Sequence, residues 1–426
     1  MLLDFTVENF RSIKCAETLS AVAASKSKGK PSNSESRHRV KSDDEIAQPF
    51  HIEGWDIDVL PVIAIFGANA SGKSNIVKAL DCLLTFMCDG KLQSSFPHHK
   101  EFVPFKLSKS SITSPTRLEI RAVFDGNIYT YSLSLENNLI IYEKLYYALA
   151  STKRQRLLFE RTWKQDLQIF EWKNGSDFSG SHIQLEKKLT DRREPFISLL
   201  SRLDIPVIEP LTAWLKSRIL GIDFSGISFK NAASKSMYEN HKTLKEVEKL
   251  LCKFDTGIEG VKIKKSETED DYQIYAVHYV DGKEILWLFE EESMGTQRLL
   301  SLIFLMNVVF SSGCNVILDE LGSNIHPNIN RKIVRLFQNP KTNPKRAQLI
   351  FTSHDNTLQR NDLLRRDQIW FTQKRSDQST KLYPLTDFKV RNDLAIDRAY
   401  LDGRFRAVPF IPDDDDLISS TDDDNV

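Results

Sequence analysis

The sequence predicts an α/β fold with a mixed central sheet, an antiparallel β subdomain and an inserted helical lobe. Three observations carry this. A continuous apolar run, VLPVIAIF at 59–66, is followed by a glycine-rich turn and then by helical spacing at 73–88. That is how a strand buried on both faces and its crossover helix read. Residues 117–147 alternate apolar and polar, with turns at Asp125-Gly126 and Asn137-Asn138, as an antiparallel meander does. A second apolar strand, Val316-Ile317-Leu318, ends in two adjacent carboxylates.

The elements are predicted in order as follows. LLDFTVENF reads as an opening strand. Residues 21–50 are polar and rich in Ser and Lys, with little to bury, and read as a surface excursion. Its bases, Lys26, Lys28, Lys30, Arg37, Arg39 and Lys41, have no aromatic residues between them, which favours a solvated loop over a nucleic-acid arm. The helix at 73–88 places Ile76, Val77, Leu80, Leu83, Leu84 and Met87 on one face. A strand-like stretch at 155–173 follows the meander. Residues 185–255 carry helical spacing, for example Phe196, Leu199, Leu200 and Leu203, then Leu244, Val247, Leu250 and Leu251. Strands return at 260–290. A helix at 294–310, a strand at 314–318, a helix after Pro327 and strands at 347–352 and 368–373 complete the series. The domain reading is 1–184 and 259–412 as two parts of one body, 185–258 as the helical lobe, and 413–426 as an acidic tail. Neither an internal repeat nor a sustained heptad run is visible.

Composition narrows the class. Hydrophobic residues make up 41% and charged residues 27% of 426, the balance of a globular protein with two or three folded units. No apolar run in the sequence reaches the roughly 18 residues of a membrane helix, so no membrane partner is expected. The start, MLLDFTVENFRS, lacks the apolar core of a signal peptide. The net charge is zero, yet DDDDLISSTDDDNV at the end holds seven Asp and no base. The remainder is therefore mildly basic, which permits an acidic partner without requiring one. Five cysteines at 15, 82, 88, 252 and 314 form no CxxC pair, as expected of a reducing cytoplasmic compartment. Neither they nor His98-His99 have metal-site spacing.

Gly67-Ala68-Asn69-Ala70-Ser71-Gly72-Lys73-Ser74 fits G-x-x-x-x-G-K-[ST] at every fixed position, and Asn75 follows it. It sits between a buried strand and a helix, where the pattern has physical meaning. The glycines let successive N–H groups face phosphate oxygens, and the helix N-terminus adds its free donors and dipole. Lys73 would reach the β- and γ-phosphates, and the Ser74 hydroxyl would ligate Mg²⁺. ATP and Mg²⁺ are thus the expected ligands. Asp319 is the expected second metal ligand, and Glu320 the candidate general base for an attacking water. Ser293, Gly295 and Thr296, in Glu292-Ser293-Met294-Gly295-Thr296, stand at a helix start that makes a second anion cradle. Gln348-Leu349-Ile350-Phe351-Thr352-Ser353-His354-Asp355 ends another buried strand, with His354 as a candidate γ-phosphate sensor.

The order E-N-F-R-S, G-A-N-A-S-G-K-S, E-S-M-G-T, V-I-L-D-E, S-N-I-H-P and T-S-H-D resembles the ABC-type P-loop ATPases of the RecF/SMC/OLD class. More narrowly it resembles the compact AAA-family ATPases of phage-defence operons, typified by RloA-like and abortive-infection proteins. The segments Arg365–Phe371, Leu385–Lys389 and Tyr400–Phe405 support the narrower match. The resemblance covers most of 1–412. It implies an ABC-ATPase-like head, two of which sandwich two ATPs in a homodimer or higher homo-oligomer. Lys73, Ser74, Asp319 and Glu320 would act in cis, Ser293 and Gly295 in trans, and His354 as the switch residue. The sequence departs from the pattern in three places. ESMGT replaces LSGGQ, Ser323 stands at the D-loop Asp position, and no Q-loop Gln is evident near Pro104-Phe105.

Three functions follow as alternatives. The first is an ATP-driven dimeric switch in antiviral defence that controls a separate effector, a nuclease or toxin. OLD-type relatives append a TOPRIM domain, whereas only 55 residues follow Phe371 here, ending in the Asp-rich tail. The second is a RecF-like repair ATPase that binds DNA directly. The third is a scaffold held together by ATP with little turnover, which would have no need of Glu320.

Overall fold

The computed structural model describes residues 1–24, 47–90, 102–178, 191–202, 205–217, 227–254, 257–265, 272–391 and 394–409. Most of the 21–50 excursion, His98-His99 and the acidic tail lie outside the described residues.

The chain opens with β1 (Leu2–Glu8) and β2 (Glu17–Ser20). A short hairpin, β3 (Phe50–Ile52) and β4 (Ile57–Val59), leads into β5 (Val62–Gly67) and helix α1 (Lys73–Asp89). A helical turn, α2 (Lys109–Ile112), precedes β6 (Thr116–Phe124), β7 (Asn127–Glu136), β8 (Leu139–Ala148), β9 (Gln155–Lys164) and β10 (Ile169–Asn174). Helices α3 (Phe196–Leu200), α4 (Glu209–Ser217), α5 (Ile227–Glu239) and α6 (His241–Lys253) follow. Next come β11 (Gly260–Lys265), β12 (Tyr272–Val280), β13 (Lys283–Leu288), α7 (Met294–Ser312), β14 (Val316–Leu318) and α8 (Pro327–Gln338). β15 (Leu349–Thr352), β16 (Ile369–Lys374), β17 (Thr380–Pro384) and α9 (Ile396–Leu401) complete the described chain.

The central sheet has the order β14-β15-β5-β16-β17. Its first four strands are parallel and β17 turns back antiparallel on β16, so the sheet is mixed. All six residues of β5 are buried, which explains their unbroken apolarity. Alternation still sorts them between two cores. Ile63 and Ile65 join one, while Val62, Ala64 and Phe66 join the other. A second sheet, wholly antiparallel, runs β10-β9-β8-β7-β6-β1-β2 and covers one side of α1. A third, β11-β12-β13, packs with α5 and α6 beside α7.

The segment read as one helical lobe divides between these cores. Phe196, Leu200, Leu211 and Leu215 of α3 and α4 pack with α1 in the first core. Met237, Val247 and Leu251 of α5 and α6 pack with α7 in the second. A buried ion pair ties α3 to the antiparallel sheet. Arg161 and Glu143, both fully buried, meet at 2.6 Å, and Glu143 also accepts from the Phe196 and Ile197 amides. The 155–173 stretch is a hairpin rather than one strand, because Gln168 turns the chain with a φ of 53°.

α7 has the length and apolar composition of a membrane span, but half of that window is buried, including Leu299, Leu300, Ile303, Met306 and Val309. It is a core helix here, capped at its start by the Ser293 hydroxyl.

Candidate functional site

The parallel strands β14, β15 and β5 lie side by side, so their carboxyl ends form one edge. Ligands in open α/β sheets bind outside such ends. β5 runs into the glycine loop, β14 into Asp319-Glu320, and β15 into Thr352-Ser353-His354. A cleft of about 380 Å³ opens there, lined by Asn69, Ala70, Gly72, Lys73, Ser74, Asn75, Glu320 and His354.

The loop is shaped by backbone that favours glycine. Gly72 has a φ of 106° and Ala70 one of 58°. A Cβ on Gly72 would overlap Thr380 Oγ1 and lie 2.9 Å from Ser12 Oγ. The loop is buttressed from far along the chain. Thr380 Oγ1 donates to the Ser71 carbonyl at 2.9 Å and meets Ser12 Oγ at 2.7 Å. Asn75 Nδ2 donates to Ser12 Oγ at 2.7 Å, and Ser71 Oγ lies 2.6 Å from Thr372 Oγ1. Lys73, 5% exposed, folds over the loop, donating to the Gly67 and Ala68 carbonyls at 2.8 and 2.9 Å. Burial lowers its pKa, while Asp319 and Glu320 pull in the opposite direction. Those two hydrogen bonds hold the ammonium where an incoming phosphate could take over its donors.

Asp319 Oδ1 accepts from Ser74 Oγ at 3.0 Å and from Thr352 Oγ1 at 2.6 Å. Hydroxyl and carboxylate therefore converge on one point beside the loop. Among the described residues no group of three or more His, Cys, Asp or Glu could hold a metal. Two hard oxygen donors, with water and phosphate supplying the rest, suit Mg²⁺, which usually keeps several waters. The residues present therefore fit that ion.

Glu320 is held in an unusual backbone, with a φ of 56°. A non-glycine residue there costs about 1–2 kcal/mol, and its partners hold it in place. The Glu320 amide donates to Thr352 Oγ1 at 2.8 Å, and its carbonyl accepts from Arg298 Nη2 at 3.0 Å. Its Oε2 accepts from Ser323 Oγ at 3.2 Å. His354 borders the same cleft. Burial, followed by the charge of Lys73, lowers its pKa, so the neutral imidazole is favoured.

The structure thus brings Lys73, Ser74, Asp319, Glu320 and His354 together with Asn69, Ala70, Gly72 and Asn75. Gly67 and Ser71 lie beneath them. Ser293, Gly295 and Thr296 do not line this cleft. Ser293 is exposed at the start of α7, where its Oγ accepts from the Thr296 amide at 3.1 Å. No Gln stands at Pro104-Phe105, whose Phe105 amide instead donates to Asn9 Oδ1 at 3.0 Å. Sequence reasoning missed Ser12, Arg298, Thr352, Thr372 and Thr380. Two had a signal: Thr352 in its place beside Ser353-His354, and Ser12 as the last residue of E-N-F-R-S.

Parallel sheet, phosphate loop and acidic strand end define a P-loop ATPase-type head of the ABC/AAA class. The family model described as "AAA domain, putative AbiEii toxin, Type IV TA system" matches residues 62–360, and the chain belongs to that family. None of the curated proteins matches it. Among solved structures, an SMC head bound to the C-terminal winged-helix domain of ScpA is similar at 14% identity, with a TM-score of 0.41. That alignment covers 94% of this chain and 99% of that one. The SMC head domain from Thermotoga maritima is similar at 14% identity and a TM-score of 0.41, over 90% and 98% of the two chains. An SMC head with an extended coiled coil, bound to the C-terminal domain of ScpA derived from Pyrococcus furiosus, gives 12% and 0.37, over 95% and 99%.

Proposed function

We propose that the protein binds and hydrolyses ATP with Mg²⁺ and works as a dimeric switch governing a separate effector in cytosolic antiviral defence. One observation carries the catalytic part: Lys73, Ser74, Asp319, Glu320 and His354, drawn from three parallel strand ends, meet around a single cleft. In this reading the loop amides and Lys73 bind the phosphates, and Ser74 and Asp319 would hold Mg²⁺, which would supply charge neutralisation for the phosphates. Glu320 accepts the proton of the attacking water. Neutral His354 contributes a hydrogen bond at the γ-phosphate side.

The dimer rests on Ser293, Gly295 and Thr296. They stand at a helix start outside the cleft, with Ser293 exposed and Gly295 and Thr296 half-buried, a position from which they could serve a partner's nucleotide. The defence role rests on the family description, which concerns a type IV toxin–antitoxin system. The separate effector is part of the same defence reading, which the family description supports.

Phosphate release by the purified protein, with and without Mg²⁺ and with and without duplex DNA, tests this. Mg-dependent turnover indifferent to DNA supports the switch. Strong stimulation by DNA supports a RecF-like role instead. ATP binding with assembly but no turnover supports a scaffold.

A further inference from the structure

The start of α7 touches the loop after β14 at two points. Arg298 Nη2 donates to the Glu320 carbonyl at 3.0 Å. One turn earlier, a Cβ built on Gly295 would lie 2.5 Å from the Asn324 carbonyl oxygen, so helix and loop are packed backbone to backbone. The loop between these contacts has little freedom. Glu320, Gly322 and Asn324 have φ values of 56°, 106° and 61°. A Cβ on Gly322 would lie 2.6 Å from the buried Asn330 amide nitrogen, which closes the far side. A shift of the α7 start must therefore reach the peptide that carries the Glu320 carboxylate.

Ser293 caps that same helix, five residues before Arg298. We infer that Arg298 is a positioning residue that couples the Ser293–Thr296 segment to Glu320 of the same chain. It makes the nucleotide held by one protomer set the base that serves the other. This rests on the reading of Glu320 as base and Ser293 as a contact in trans. The coupling path is short: cap, helix turn, guanidinium, carbonyl. Rigid helices and hydrogen bonds with two discrete arrangements are what such coupling requires. Once Arg298 is removed, each site would still bind nucleotide, because Arg298 does not line the cleft. The base would no longer follow the state of the neighbouring site.

Arg298→Ala and Arg298→Lys test this in the full-length chain, with ATP turnover, its Hill coefficient and affinity for a fluorescent ATP analogue measured together. Arg298→Ala is expected to keep its affinity within about twofold, lose at least about tenfold in kcat, and bring a Hill coefficient above one down to one. Arg298→Lys, which keeps a donor near the carbonyl, is expected to regain part of the rate. Wild-type kcat and cooperativity in Arg298→Ala would overturn the inference. So would a Lys variant as slow as the Ala variant while both unfold at the wild-type temperature. If Glu320→Gln turned over ATP like wild type, the reading of the base would fail first, and the inference with it.

Discussion

Gly72→Ala probes the phosphate loop where its geometry is most constrained. The residue has a φ of 106°, which L side chains rarely adopt. Holding alanine there costs about 1–3 kcal/mol. The new methyl would also overlap Thr380 Oγ1 and approach Thr380 Cγ2 to 2.8 Å and Ser12 Oγ to 2.9 Å. Overpacking of that kind costs a further ~1–3 kcal/mol. If the loop moves to relieve the clash, the Ser12–Thr380–Asn75 network breaks and nucleotide affinity bears the loss. Even a total of about 2 kcal/mol corresponds to roughly 30-fold weaker binding. Titration with a fluorescent ATP analogue reads that change, and thermal unfolding of the same sample reads any part falling on stability. A cycle with Thr380→Ala separates the Thr380 share of the steric cost from the rest, since that change removes Thr380 Oγ1 and Cγ2 but leaves Ser12 Oγ and the backbone angle. The double variant should recover the Thr380 share only. Wild-type affinity and wild-type unfolding in Gly72→Ala would refute the picture of a loop pinned by Ser12 and Thr380.

Two further predictions follow from the same geometry. Burial and Lys73 lower the His354 pKa from its ordinary 6.5, so turnover should persist at and below that pH and fall only as the imidazolium forms. A pH–rate profile of His354→Gln should lack this acid limb. The linkage has the matching sign: the unfolded chain takes up the proton first, so stability from this group is complete above about pH 6.5 and declines as pH falls below it. Arg161→Met would leave the buried Glu143 without its ion partner at the α3 junction. Breaking such a pair costs about 3–5 kcal/mol, to be read as an earlier unfolding transition in denaturant, with nucleotide affinity nearly unchanged.

Much of this was legible in the sequence, for identifiable reasons. The phosphate loop could be read because Gly67, Gly72, Lys73 and Ser74 must keep fixed spacing to do their work. The carboxylates could be read because a strand buried on both faces announces itself as Val316-Ile317-Leu318. What could not be read was the set of residues that hold these groups in place. Ser12 and Thr380 meet across 368 positions, and Arg298 reaches Glu320 across 22. No local pattern encodes such pairings. Periodicity likewise gave the apolar faces of α3 and α6 but not their partners, so helices read as one lobe serve two cores. The short strands β2, β3 and β4 carry too few residues for alternation to register. β17 escaped because Thr380 and Pro384 bound a stretch, TKLYP, without a clear period.

The central claim is that two such heads close on ATP and that Glu320 opens them by hydrolysis. Light-scattering mass and phosphate release, measured together on wild type and Glu320→Gln with ATP and Mg²⁺, test it most directly. The account predicts that the variant doubles in mass with ATP while phosphate release falls by at least about a hundredfold, as loss of a general base would give. A variant that stays at its nucleotide-free mass and releases phosphate at the wild-type rate would contradict both the composite site and the assignment of the base.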